Sequence, residues 1–321
     1  MPRIVIPDDY PPVMGPSEAF QSWDAAPQAR LYESLPGSED ELIARIRDAE
    51  AVICVRASTR FTDRVLAACP ALRLVSLWGT GTDNVDLEAA ARRGVAVTNT
   101  PEVAADSIAE HCLALMLAVA RRIPAVDAAT RRGDWPSAAS VQLMGKTLGV
   151  VGLGAIGRRV ARLGIAIGMQ VLTWTFHPKP ELGFDHHSLE RVLHDSDVVS
   201  LHVRLTPETR HMIGRAELAA MKPTAILINT ARGAVVDEEA LVEALREGRI
   251  AGAGLDVYEA EPLPAGHPLA ALPNVVLTPH AAGHTREAVE AGLRMAIENV
   301  ENFFAGSPTN LVTPPPGPPA T

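Results

Sequence analysis

The sequence predicts an α/β protein of two domains, each built around a parallel β-sheet. Three observations lead there. The chain has 321 residues, more than a single core usually organises at roughly 100 to 200 residues per domain. Short apolar runs alternate with helical patterns along nearly the whole length, the rhythm of strands that are buried on both faces. A G-x-G-x-x-G turn joins one of those strands directly to the helix that follows it.

The first series of strands is predicted at residues 4–6, 51–55, 72–77 and 95–97. Helical patterns fall between them at 39–48, 63–68 and 87–93, the last closed by Gly94 as a C-cap. A second series follows the basic, helix-breaking segment 131–136, with strands at 148–151, 170–174, 197–202, 225–229, 253–256 and 275–278. That series matches a doubly wound dinucleotide-binding fold. A further helical pattern, 285–304, leads toward the C-terminus.

The longest apolar run, 112–120, is well short of the ~18 residues that cross a bilayer. It reads as a buried helix that begins near Ser107 and stops at Pro124. Its later turns have no polar face, so protein must cover them on all sides, at a domain junction or a subunit interface.

Composition excludes several classes. Hydrophobic residues make up 47% and charged residues 21%, the balance of a globular chain. A net charge of -9 repels nucleic acid and anionic membranes, so an anionic substrate must find a local cation. Cys54, Cys69 and Cys112 are scattered in or beside apolar sequence and none is spaced as a metal ligand, which predicts reduced thiols, a cytoplasmic location and no metal. The first apolar stretch is too short for a signal peptide. The proline-rich segment 313–321 cannot form a ladder or a helix and reads as a disordered tail.

In the glycine turn each residue has an assignable task. Gly152 permits the tight turn, Gly154 lets the backbone approach a pyrophosphate, and Gly157 lets helix and strand pack closely. The amides at the helix start, Ala155 and Ile156, then face the diphosphate. A lone pattern of this kind is often only a turn; its place between strand and helix makes it a dinucleotide site. The second strand usually ends in a carboxylate that holds the adenosine ribose, but here it runs into Thr175, followed by His177 and Lys179. The expected cofactor is NAD, with NADP possible: no carboxylate repels a 2'-phosphate, and His177 or Lys179 either attracts one or is an ordinary surface side chain.

Three strand ends carry polar residues where open α/β sheets place ligands. Arg232 could grip a carboxylate bidentately. His280 has the side chain best suited to exchange a proton with an alkoxide near neutral pH. Glu261 is the candidate carboxylate to orient that ring. Taken singly, each of the three could be an ordinary surface or loop residue.

Taken with residues 72–86, 145–157, 200–209, 221–223, 229–237 and 278–280, they make a chain that resembles the D-isomer-specific 2-hydroxyacid dehydrogenase family over nearly its whole length. The resemblance implies an NAD(P)-dependent enzyme interconverting a small D-2-hydroxy acid and its 2-keto acid. By it, Arg232 binds the substrate carboxylate, His280 is general acid and base, and Glu261 tunes His280. It also assigns Arg56, Ala57, Gly79 and Thr80 to the substrate, Thr230, Ala231 and Asp256 to the nicotinamide half of the cofactor, and His202 and Val203 to the adenosine side. It implies two Rossmann-like domains, the first flavodoxin-like: residues 1–100 with 288–312 for the substrate, and 101–287 for the dinucleotide. It implies too that residues 104–140 build a homodimer. Trp78, Thr82 and Thr175 depart from what relatives often carry. Because some members of the family act as dinucleotide-sensing corepressors, a binding protein with little turnover is the alternative.

Overall fold

Strands that are apolar at every position cannot show either face to water, and both sheets are built to meet that requirement. The computed structural model describes residues 2–137 and 139–313. It divides into two compact units, one comprising the chain up to Ala104 and from His284 onward, the other Ala105–Gly283.

The sheet of the first unit contains β1 (Ile4–Ile6), β2 (Arg30–Leu31), β3 (Ala51–Cys54), β4 (Leu74–Leu77) and β5 (Ala96–Thr98). All pairs are parallel and the order is β2-β1-β3-β4-β5, the flavodoxin arrangement. One face packs on Leu42, Ile46, Val65, Leu66, Ala89 and Ala90 from the helices between the strands. The other is covered by the helix Arg286–Phe304, whose Leu293, Ala296 and Val300 meet Ile6, Ile53 and Leu74. The C-terminal helix thus completes the first unit, as the resemblance implies.

Three details differ from expectation. The edge strand β2 is only two residues long, with Arg30 exposed, and leaves no apolar run to read. Thr313, expected to start a disordered tail, is 4% exposed, and its hydroxyl accepts the Val97 N–H at 2.9 Å. Residues 314–321 of that segment lie outside the described residues. Finally, residues 101–104 and 284–287 belong with the first unit, not the second. His284, for example, stacks on Trp78 with ring centroids 5.6 Å apart.

The second unit holds β6 (Thr147–Val151), β7 (Gln170–Trp174), β8 (Val198–Leu201), β9 (Ile226–Asn229), β10 (Gly252–Leu255) and β11 (Val275–Leu277) in the order β11-β10-β9-β8-β6-β7, again all parallel. Beyond β7 a single parallel bridge, Thr173 to His186, stands where the dinucleotide fold has its third strand. Helices Ala105–Ala120 and Ala155–Ala166 cover one face through Leu115, Met116, Val160 and Ala161. Leu193, Leu218, Leu241 and Leu245 cover the other.

The apolar helix ends at Ala120 rather than at Pro124. Arg122 turns left-handed (φ 53°), and Pro124 stands in the opening turn of a new helix, Ile123–Arg131, where its missing N–H costs nothing. Leu117, Ile123 and Val126 are exposed, so the all-round cover expected of this region is not supplied within the unit. Among the described residues no helix is long and apolar enough to cross a membrane. All three cysteines are free and buried.

Leu293 is fully buried where the C-terminal helix meets the first sheet. Leu293→Ala is expected to lower the unfolding free energy by about 2–5 kcal/mol, through lost transfer energy and the cavity left behind. Urea denaturation followed by circular dichroism measures it.

Candidate active site

In a fully parallel sheet every strand delivers its carboxyl end to the same edge, so residues remote in sequence gather there. At that edge of the second unit the turn after β6 is held by contact rather than by composition. Gly152 has φ 102°, and a β-carbon on it would come within 2.7 Å of the backbone of His202, the residue after β8. A β-carbon on Gly157 would stand 1.9 Å from the Gly152 carbonyl oxygen. Gly154, by contrast, has open space around its β-position and caps the helix Ala155–Ala166. Two glycines are thus closed against protein, while the one between them is open above a helix start whose first N–H groups have no helical acceptor. This cradle fits a diphosphate.

Around it lie the other residues expected to meet the cofactor. Thr175, at the end of β7, is half-buried, while His177 and Lys179 are exposed. His202 bonds Ser200 Oγ through Nε2 at 2.9 Å, and burial depresses its pKa to about 3, so it stays neutral. Val203 reaches the same place through its backbone, close to Gly152.

The end of β9 is shaped by Asn229, a buried residue that sequence reasoning did not single out. Its Oδ1 accepts the Ala231 N–H at 3.0 Å and its Nδ2 donates to the Arg232 carbonyl at 2.9 Å. This clasp turns the chain so that the Arg232 side chain, partly exposed, leaves the sheet edge. The guanidinium also donates to the Ala231 carbonyl at 2.8 Å. Thr230 is buried, and its hydroxyl lies 3.1 Å from the Cys112 thiol. A β-carbon on Gly233 would fall 1.9 Å from the Tyr258 carbonyl carbon, so the segment carrying Arg232 lies directly against the one that leads to Glu261.

Glu261 and His280 meet. Glu261 Oε2 is 2.7 Å from His280 Nδ1, and Oε1 accepts the Tyr258 N–H at 3.0 Å. Burial pushes the Glu261 carboxyl upward. The hydrogen bond and charge of His280, the Tyr258 N–H and the Arg232 charge outweigh it, and the pKa lies below the ordinary carboxylate value. Glu261 therefore keeps its negative charge against the ring near neutral pH. His280 is left-handed (φ 53°), and its N–H donates to the Asp256 carbonyl at 2.8 Å. Asp256, expected near the nicotinamide, is 1% exposed. Its carboxylate accepts the Thr278 hydroxyl at 2.5 Å and the Ala281 and Ala282 N–H groups at 2.9 Å each.

The first unit places its own expected residues at strand ends as well. Arg56 and Ala57 follow β3, and Gly79 and Thr80 follow β4. Asp8, buried, fixes the first loop by accepting the Val55 and Arg56 N–H groups at 2.9 and 3.0 Å. The Gly79 N–H donates to Thr100 Oγ1 at 2.7 Å, and the Thr80 carbonyl accepts from Asn99 at 2.8 Å. The Arg56 guanidinium lies 5.9 Å over the Trp78 ring. Among the described residues no group of three or more histidines, cysteines and carboxylates could hold a metal ion.

A cradle for a dinucleotide on the same sheet edge as a histidine braced by a carboxylate defines a nicotinamide-dependent oxidoreductase. Comparison narrows the class. A family model described as D-isomer specific 2-hydroxyacid dehydrogenase, NAD binding domain, matches residues 113–282. A glyoxylate reductase of Aeropyrum pernix is 46% identical over 295 residues, covering 86% of this chain and 87% of the relative. A D-3-phosphoglycerate dehydrogenase of Methanocaldococcus jannaschii is 41% identical over 276 residues, which are 84% of this chain and 52% of that one. The crystal structure of an NADPH-dependent glyoxylate/hydroxypyruvate reductase from Sinorhizobium meliloti, in complex with NADP and malonate, superposes with a TM-score of 0.87 at 30% identity, covering 100% of this chain and 99% of its own. The chain belongs to the D-isomer-specific 2-hydroxyacid dehydrogenase family. It is an NAD(P)-dependent enzyme acting on CH–OH donors.

The depressed pKa of Glu261 carries a sign that can be tested. A carboxyl whose folded pKa lies below its unfolded value stabilises the fold fully above the unfolded value and loses that contribution as pH falls through the folded one. The stability gap between the native protein and Glu261→Gln is expected to be larger at pH 7 than at pH 3. Thermal denaturation of both at the two pH values measures it; a gap that grows on acidification contradicts the assignment.

Proposed function

We propose that the protein reduces a small 2-keto acid of the glyoxylate type to the D-2-hydroxy acid, and runs the reverse oxidation, with Arg232, Glu261 and His280 as its catalytic residues. The observation that carries this reading is the 2.7 Å contact of His280 Nδ1 with Glu261, in a segment packed against the one that bears Arg232. When bound, NAD(P)H supplies the hydride from C4 of its nicotinamide ring.

The protein's own residues do the rest. Arg232 binds the substrate carboxylate in a bidentate grip and draws electron density from the adjoining carbonyl. His280 presents its other ring nitrogen, Nε2, to the carbonyl oxygen and delivers a proton as the alkoxide forms; in oxidation the same nitrogen takes the proton back. Glu261 fixes the orientation of the ring through Nδ1. Arg56, Ala57, Gly79 and Thr80 contact the substrate, and Thr230, Ala231 and Asp256 shape the nicotinamide side. His202, neutral, and Val203 adjoin the adenosine half.

Glyoxylate reductase relatives covering most of this chain support the small substrate. The dinucleotide-sensing reading has no comparable observation behind it. The exposed apolar residues Leu117, Ile123 and Val126 support a homodimer formed through residues 104–140. The pattern of reduced, buried thiols supports a cytoplasmic location.

His280→Asn is expected to lower kcat for glyoxylate reduction by at least about 100-fold while leaving the Kd for NADH within about threefold. Nicotinamide absorbance and cofactor titration measure the two; equal turnover in the variant contradicts the mechanism. A second expectation concerns the cofactor. Thr175 offers no carboxylate to repel a 2'-phosphate, so kcat/KM with NADH and NADPH should differ by less than about 100-fold, roughly 2.7 kcal/mol. A larger preference for NADH shows that the strand end excludes NADP without a charge.

A further inference from the structure

The turn that carries His280 is held from behind by a network that begins at a residue the proposed chemistry does not use. His111, in the helix Ala105–Ala120, places Nε2 3.0 Å from Thr278 Oγ1. The same nitrogen is 3.6 Å from Asp256 Oδ1, too long for a hydrogen bond.

The direction of each bond follows from the number of protons available. A hydroxyl has one proton to give. Thr278 Oγ1 is 2.5 Å from Asp256 Oδ1, and a carboxylate oxygen only accepts, so the hydroxyl proton points to Asp256. Toward His111, Thr278 Oγ1 can then act only as acceptor, which requires the hydrogen of the imidazole to be on Nε2. The chain of donors runs His111 to Thr278 to Asp256.

From Asp256 the constraint passes into the turn. Its two carboxylate oxygens take the Ala281 and Ala282 N–H groups, and its carbonyl takes that of His280. On the other side Tyr258 Oη donates to the Thr278 carbonyl at 2.8 Å. His280 sits between these anchors in a left-handed conformation, which a residue with a β-carbon keeps only where its surroundings hold it. The Glu261 contact at 2.7 Å exists only while that turn keeps its shape.

We propose that His111 is a positioning residue for proton transfer: by donating to Thr278 it orients the hydroxyl toward Asp256, and through Asp256 it holds the turn that aims His280. This rests on the reading of His280 as the acid/base group. A residue that only ties the helix to β11 would affect stability and leave turnover of the folded enzyme alone. A positioning residue lowers kcat and spares binding, because proton transfer tolerates little displacement of the donor.

The test uses the full-length protein with NADH and glyoxylate. His111→Leu is expected to lower kcat about tenfold, the effect of one lost hydrogen bond on a barrier, with KM for glyoxylate and Kd for NADH within about twofold. His111→Gln, which can return an N–H donor near the same place, should recover kcat to within about threefold of the native enzyme. Thr278→Val should repeat the loss, and the double variant His111→Leu/Thr278→Val should be no slower than Thr278→Val alone, because both break one chain. Should His111→Leu not fold, the contrast between His111→Gln and Thr278→Val carries the same comparison.

A second readout does not depend on turnover. In protein labelled with 15N-histidine, the His280 ring resonances should shift or broaden in His111→Leu and return in His111→Gln. Native-like kcat in His111→Leu, or losses that multiply in the double variant, would overturn the proposal. If the native enzyme turns over no 2-keto acid, the functional reading fails instead; the His280 resonances then decide, and unmoved resonances in His111→Leu overturn the positioning role too.

Discussion

The parallel sheet of the second unit is the constraint on which the site depends. Because all its strands run one way, the carboxyl ends of β6, β8, β9, β10 and β11 share one edge, and the glycine turn, His202, Arg232, Asp256 and His280 arrive there without any local sequence relation to one another. Each is then held by a short-range device: a bare glycine against backbone at Gly152, Gly157 and Gly233, an amide clasp from Asn229, a carboxylate that ties the turn from Asp256. Topology sets the neighbourhood, and hydrogen bonds and steric closure set the orientation within it.

Electrostatics explains how an acidic protein serves an anionic substrate. The chain carries a net charge of -9, which gives no general attraction for a keto acid. Arg232 places a positive charge at the sheet edge, where it also helps to keep the Glu261 carboxyl ionised despite burial. Glu261 in turn faces His280, the proposed acid/base group, while desolvation holds His202 neutral.

Much of this was legible in the sequence where function coincides with a local steric rule. The glycines of the turn could be read one by one, since each sits where a β-carbon would collide or where space must stay open. Arg232, Glu261 and His280 were nameable by residue type and grouped by resemblance, Glu261 with the His280 ring; the distance at which that pair meets could not be read, because it depends on the sheet that sets β10 beside β11. His111 and Thr278 illustrate what could not be read: they bond across 167 positions of chain, and neither residue type announces a partner. The same ambiguity governed Pro124, which ends a helix or begins one according to its place in the turn. The two-residue strand β2 has no periodicity to read at all.

In the proposed reaction Arg232 and the outward nitrogen of His280 act together on one 2-keto acid. A crystal structure with NADH and oxamate, a poorly reactive stand-in for glyoxylate, tests it most directly. The oxamate carboxylate is expected to pair with the Arg232 guanidinium, and its amide carbonyl oxygen to lie within hydrogen-bond distance of His280 Nε2. Oxamate bound away from Arg232, or with its carbonyl oxygen turned from His280, would contradict it.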